Sequence, residues 1–197
     1  MSKLIDSRNI HSIKRDILSV GVLIGIIWIV FALDRILPLE AFGLVPRTLG
    51  GLVGIIAMPF LHADFTHLVG NTMPLAVTLL LLAGSRANSM GIVIIITVCT
   101  GVGLWLFGRT ALHIGASGLV FGLIAFHICA GIFEKRLRSV VLAIIVGFLY
   151  ASTILQGIVP FQKGVSWEGH LIGAITGGLV ALLISRTLTQ STQSPAP

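Results

Sequence analysis

The chain has 197 residues, of which 55% are hydrophobic and 10% charged, and its formal net charge at pH 7 is +6. A water-soluble globular domain of this size has no need of so apolar a composition, so the sequence reads as an all-α membrane protein. The basic residues form no clustered arm and are not interleaved with aromatics, which gives nucleic acid no footing and leaves the lipid bilayer as the expected partner.

In chain order, residues 1–16 are expected to form a cytoplasmic tail. The run Ile17–Leu37 is long enough to cross a bilayer, which takes about 20 residues as a helix. It is too long for a signal-peptide core and lacks a small-residue cleavage pattern, so it is expected to be a retained span. Thr48–Ala63 also lacks charge, but it is short and carries Gly50, Gly51, Gly54 and Pro59. An interfacial or re-entrant loop is expected there. Five more spans follow: His67–Ala83, Met90–Phe107, Ile114–Phe133, Val140–Ile158 and Gly169–Ile184.

Residues 17–185 are thus expected to form one six-span domain, and 186–197, ending Ser-Pro-Ala-Pro, a disordered tail. With both termini cytoplasmic, Lys3, Arg8, Lys14, Arg15, Arg86, Lys135, Arg136, Arg138 and Arg186 lie inside. Only Arg35, Arg47, Arg109 and Lys163 lie outside, as the positive-inside bias requires. Counting Thr48–Ala63 as a span would push Lys135–Arg138 outside. Cys99 and Cys129 fall within spans, lack a metal-type spacing, and are expected to pack as small apolar residues without a disulfide.

In this topology the second, fourth and sixth spans run in one direction, so their first turns share a depth just below the outer face. His67 and Asn71 open the second span, Ser117 opens the fourth within Gly115-Ala116-Ser117-Gly118, and His170 opens the sixth. Polar side chains are costly in hydrocarbon and are functional suspects there. His67 and Asn71, four apart, share a helix face. Gly118 with Gly122, and Gly173 with Gly177, have the small-xxx-small spacing that lets helices approach closely, which would carry His170 toward Ser117. Phe121, one turn below Ser117, could support the imidazole.

A serine hydroxyl needs a positioned base, and His170 is the candidate. No carboxylate has a credible place as a third member: Asp6, Asp16 and Glu134 lie toward the cytoplasm, and Asp34 and Glu40 flank the end of the first span. Glu168 points to another helix face than His170, and Asp64 could at best reach His67. A Ser/His dyad is expected, with the Asn71 amide, the His67 ring N–H and the Ser117 backbone N–H as oxyanion donors. The loop Gly157–Glu168 would admit the hydrolytic water. His113, one turn before Ser117, is the rival base, and His62 is expected to be structural. His127, about 15 Å deeper in the same helix, is out of reach.

These residues together resemble the rhomboid intramembrane serine proteases. Gly115-Ala116-Ser117-Gly118 is similar to that family's Gly-x-Ser-Gly nucleophile motif, and His62, His67 and Asn71 to its His-x-x-x-x-His-x-x-x-Asn run. His170 with Gly173 and Gly177 resembles its base-bearing last span, and Phe121 an aromatic position four after the serine. The resemblance covers about Ile17 to Ser185. It implies a six-transmembrane-helix rhomboid-like bundle in a cell membrane that cleaves single-span membrane protein substrates near the outer face, without a cofactor. Of the Trp-Arg pair that many members carry in the first loop, Pro46-Arg47 retains the arginine. Two other readings are a catalytically inactive rhomboid-like protein that binds membrane helices, and a His-lined metal-binding membrane protein. Retention of Ser117 and His170 argues against the first. The lack of a His-Glu-x-x-His run and of an intramembrane carboxylate argues against the second, so no metal ligands are assigned.

Overall fold

The computed structural model describes residues 2–86, 88–160 and 164–193. Among the described residues seven α-helices follow one another: α1 (Ser2–Leu33), α2 (Gly54–Ala57), α3 (Phe65–Ser85), α4 (Ser89–Phe107), α5 (Ser117–Glu134), α6 (Leu137–Gly157) and α7 (Trp167–Gln193). Six of these are long and apolar enough to cross a membrane: Lys14–Leu33 within α1, then α3, α4, α5, α6, and Trp167–Leu188 within α7. The chain is therefore an all-α, multi-pass membrane protein. Gly50–Phe60 is apolar and helical but too short to cross, as expected of a loop segment.

Both ends of the bundle differ from the sequence expectation. The first span ends at Leu33, not Leu37, because the Asp34 carboxylate turns to accept the Glu40 N–H at 3.1 Å, and Arg35 pairs with Asp34 at 3.2 Å. Residues 2–16, expected to be a tail, continue α1, and Arg186–Gln193 continue α7 where disorder was expected. Extending a helix that a span has already nucleated costs little, and the sequence offers no proline at this end before Pro195. Residues 194–197 lie outside the described residues.

The bundle is built around α5. Its span is 61% buried, whereas that of α6 is 6% buried and exposed over most of its surface. Leu68, Leu75, Leu79 and Leu82 of α3, Ile96 of α4, Leu123, Ile124 and Phe126 of α5, and Val146 of α6 fill one core. Against α7 the packing changes character, because backbone meets backbone. A Cβ on Gly173 would fall on the Gly118 carbonyl, and one on Gly177 on the Gly122 carbonyl. In lipid such contacts draw helices together by dispersion rather than by expulsion of water. Gly177→Leu is expected to wedge α7 from α5, lowering both the thermal midpoint in detergent and any activity, since overpacking costs about 1–3 kcal/mol. Unchanged melting would remove this seam as the reason why His170 and Ser117 are neighbours.

The end of the bundle far from α5's N-terminus gives its buried carboxylates a cation or a hydroxyl as partner, as a low-dielectric interior requires. Arg86 meets Glu134 at 2.7 Å, Ser139 donates to Glu134 at 2.6 Å, and Ser89 donates to Asp16 at 2.8 Å. These contacts join α3 to α5, the start of α6 to α5, and α4 to α1. The first loop is equally tied at the other end. Arg47, with φ of 58°, donates to the carbonyls of Leu106 at 3.3 Å and Gly108 at 2.7 Å and to Thr110 Oγ1 at 3.1 Å. Trp105 Nε1 donates back to the Thr48 carbonyl at 2.9 Å. Arg47 thus serves the unpaired carbonyls at the end of α4.

Candidate active site

Each candidate side chain sits where a helix begins. Asp64 is the N-cap of α3, its carboxylate accepting the His67 N–H at 2.8 Å, so this acid orders the helix that carries His67 and Asn71. Asn71 is buried and gives one amide N–H to the His67 carbonyl at 3.2 Å, which leaves its second N–H uncommitted by that bond. Before α5 the chain turns at Gly115, where φ is +110°, and a Cβ there would lie 2.6 Å from His67 Nε2. Glycine is needed on both counts. The Gly115 N–H bonds to the Met58 carbonyl at 2.9 Å, drawing the first loop under the turn. Ser117 then opens α5, with its backbone N–H among the unpaired donors of the first turn.

His170, in the first turn of α7, is fixed from two sides. Its ring stacks on Phe121 with centroids 4.2 Å apart and planes 2° from parallel. Its Nδ1 lies 2.7 Å from the Gly157 carbonyl. A carbonyl only accepts, so Nδ1 carries the proton and Nε2 keeps a lone pair. Gly157 is itself confined, since a Cβ there would strike the Phe121 ring.

His67, Asn71, Ser117 and His170 line one cavity of about 540 Å³. A second, of about 280 Å³, shares Asn71, Ser117 and His170, adds Phe121, and lies between Gly70 and Pro74 of α3 and Thr153 and Gln156 of α6. The Ser117 hydroxyl and the His170 ring share these cavities without a hydrogen bond between them; such bonds commonly tighten only when substrate is present.

The other titratable groups have separate partners. Both ring nitrogens of His113 are engaged, Nδ1 with Ser166 Oγ at 2.7 Å and Nε2 with the Arg109 carbonyl at 3.0 Å, so the rival base has no lone pair directed at Ser117. Burial holds His113 below its ordinary pKa, against the opposing pull of that carbonyl and of Glu168. Glu168 pairs with Arg109 at 2.8 Å instead of reaching His170. His62 is fully buried and edge-on to His67 at 5.0 Å. Burial, helped by the neighbouring His67, lowers its pKa to about 4. His127 faces the Thr78 carbonyl at 3.1 Å from within the core. Among the described residues no three His, Cys, Asp or Glu side chains gather as a metal site would need.

Three contributors went unforeseen in the sequence: the Gly157 carbonyl, Ser166, and the Gly70/Pro74 edge of α3. The first is a backbone group and carries no residue-type signature. Ser166 is one polar residue in a polar loop. Pro74 was visible as a proline inside an apolar run, where it removes a backbone donor one turn after Gly70.

The family model described as Rhomboid domain matches residues 49–187. Uncharacterized proteins of Mycobacterium bovis and Mycobacterium tuberculosis are each 37% identical to the chain over 175 residues, covering 82% of it and 72% of their own length. An uncharacterized protein of Mycobacterium leprae is 38% identical over 145 residues, covering 68% of the chain and 57% of its own.

Proposed function

The chain belongs to the rhomboid family, and on that premise we propose that it is an intramembrane serine endopeptidase, cleaving the spanning segments of other membrane proteins with Ser117 and His170. The observation that carries this reading is the setting of His170: stacked on Phe121, with Nδ1 against the Gly157 carbonyl, which leaves Nε2 as the acceptor, and lining the same cavity as Ser117. A backbone carbonyl here does for the histidine what a carboxylate does in a triad, fixing tautomer and orientation.

In the first step His170 Nε2 takes the Ser117 hydroxyl proton as Oγ bonds to the scissile carbonyl carbon. The negative charge that develops on the carbonyl oxygen meets the His67 ring N–H, the free Asn71 amide N–H and the Ser117 backbone N–H. Collapse breaks the C–N bond, and His170 passes its proton to the departing amine. Water then attacks the acyl-enzyme, giving its proton to His170, which returns it to Ser117 as the ester C–O bond breaks. The charge asymmetry of the loops supports cytoplasmic termini and a cut near the outer face.

The opening between α3 and α6 is the substrate's route to Ser117. A Cβ on Gly70 would meet nothing within 4 Å, so Gly70→Leu is expected to fold normally while narrowing that opening. Cleavage of test proteins with bulky residues beside the cut should fall roughly ten- to hundredfold relative to those with small ones. Equal rates on both would refute this route.

One observation favours a second reading, a rhomboid-like protein that binds membrane helices without cutting: the absence of a Ser117–His170 hydrogen bond. Incubating the purified protein with a single-span test protein decides between them. Cleavage that Ser117→Ala abolishes supports the protease, and binding without fragments supports the alternative.

A further inference from the structure

A histidine–serine hydrogen bond does border the cavity, but it joins His113 to Ser166, at 2.7 Å. Because the Arg109 carbonyl on Nε2 can only accept, the neutral ring has its proton there, and Ser166 donates its hydroxyl to Nδ1. The backbone of His113 is paired on both sides with Leu44, at 3.0 and 2.8 Å. The Ser166 carbonyl in turn accepts the His170 N–H at 3.1 Å. His113 is 2% exposed and therefore stands where three connections meet: the first loop through Leu44, the α4–α5 loop through Arg109, and the residues leading into α7 through Ser166.

Arg109 reinforces the last of these, donating to the Val165 carbonyl at 2.7 Å and pairing with Glu168. The contacts matter because of what helix packing leaves undetermined. The glycine seam grips α7 most tightly at Gly173 and Gly177; at Gly169 the approach is looser, a Cβ on Gly118 lying 3.3 Å from its carbonyl, while α6 on the other side is largely exposed. The first turn of α7 is held by this looser contact, by the stack of His170 on Phe121 and by hydrogen bonds, of which the Ser166 carbonyl to the His170 N–H is one.

We propose that His113 is a positioning residue for the reaction, holding the first turn of α7 through Ser166 so that His170 faces Ser117. It touches neither substrate nor reacting atoms. Ser166 is the connecting group, and its hydroxyl, already donated to His113, is not a second nucleophile. This rests on the hydrolytic reading above.

The test compares His113→Leu, which keeps apolar bulk, with His113→Gln, whose amide restores one donor and one acceptor, alongside Ser166→Ala. Three quantities are measured on the full chain in detergent: kcat and KM on a single-span test protein, the rate of Ser117 labelling by a fluorophosphonate, and hydrogen exchange at residues 167–170. In H113L and S166A, kcat and labelling are expected to fall together by roughly tenfold or more, because small displacements of a catalytic group cost that much. KM should stay nearly constant and exchange at the first turn of α7 should rise. H113Q should recover to within about threefold, as a filled cavity alone would not achieve. Equal activity in H113L and H113Q, unchanged exchange in H113L, or fluorophosphonate on Ser166 would each overturn the positioning role. An unaltered protein that neither cleaves nor labels would overturn the hydrolytic reading instead, and the exchange result would stand apart from it.

Discussion

Ser117→Ala and His170→Ala are each expected to reduce cleavage of a single-span test protein by roughly 10⁴-fold or more while leaving a folded, membrane-inserted protein. The reason is that each substitution removes chemistry and little packing. Ser117 is only half-buried at the start of α5, and although His170 stacks on Phe121 and bonds to Gly157, the tightest contacts of α7 with α5 run through Gly173 and Gly177. The double variant should be hardly worse than either single one, because a nucleophile without its base and a base without its nucleophile are equally idle. Initial rates and thermal midpoints measured side by side check this. Normal cleavage by either single variant would sink the dyad, and activity in His170→Ala with none in any His113 variant would move the base to His113.

The second large effect concerns the oxyanion donors. Asn71→Ala and His67→Ala should each lower turnover by roughly 100-fold to 1,000-fold, with little change in KM, since their N–H groups serve a charge that exists only in the transition state. Asn71 also holds the His67 carbonyl, so its variant should lose some thermal stability as well. His62→Ala should slow turnover less, because its ring meets His67 edge-on and lines neither cavity. Equal losses at His62, His67 and Asn71, accompanied by lower melting, would instead mark a structural cluster.

How much of this was legible in the sequence follows from what each feature depends on. Six spans could be counted because apolar length is a local property, and the rejection of Thr48–Ala63 as a span rested on its glycines and on charge placement. The gathering of His67, Asn71, Ser117 and His170 followed from helix direction alone, three helices starting at one depth. The glycine seam was readable from its spacing. Less visible were features made by the backbone or by loops far apart in the chain. Gly157 contributes an oxygen that any residue has, Arg47 finds the end of α4 some sixty residues away, and His113 meets Ser166 across two helices. The ends of α1 and α7 were misjudged for a related reason. Hydropathy marks where a helix stops being apolar, and the hydrogen-bonded helix continues past that point.

The glycine seam between α5 and α7 has a consequence for how the protein is made. Ser117 emerges from the ribosome more than fifty residues before His170, and nothing earlier in the chain supplies the ring that Phe121 and Gly157 wait to receive. Until α7 packs against α5, backbone to backbone, the Ser117 hydroxyl is without the base proposed for it. Under the proposed mechanism a half-synthesised molecule would lack the means to cut its neighbours, and competence would arrive in a single step, with the docking of α7.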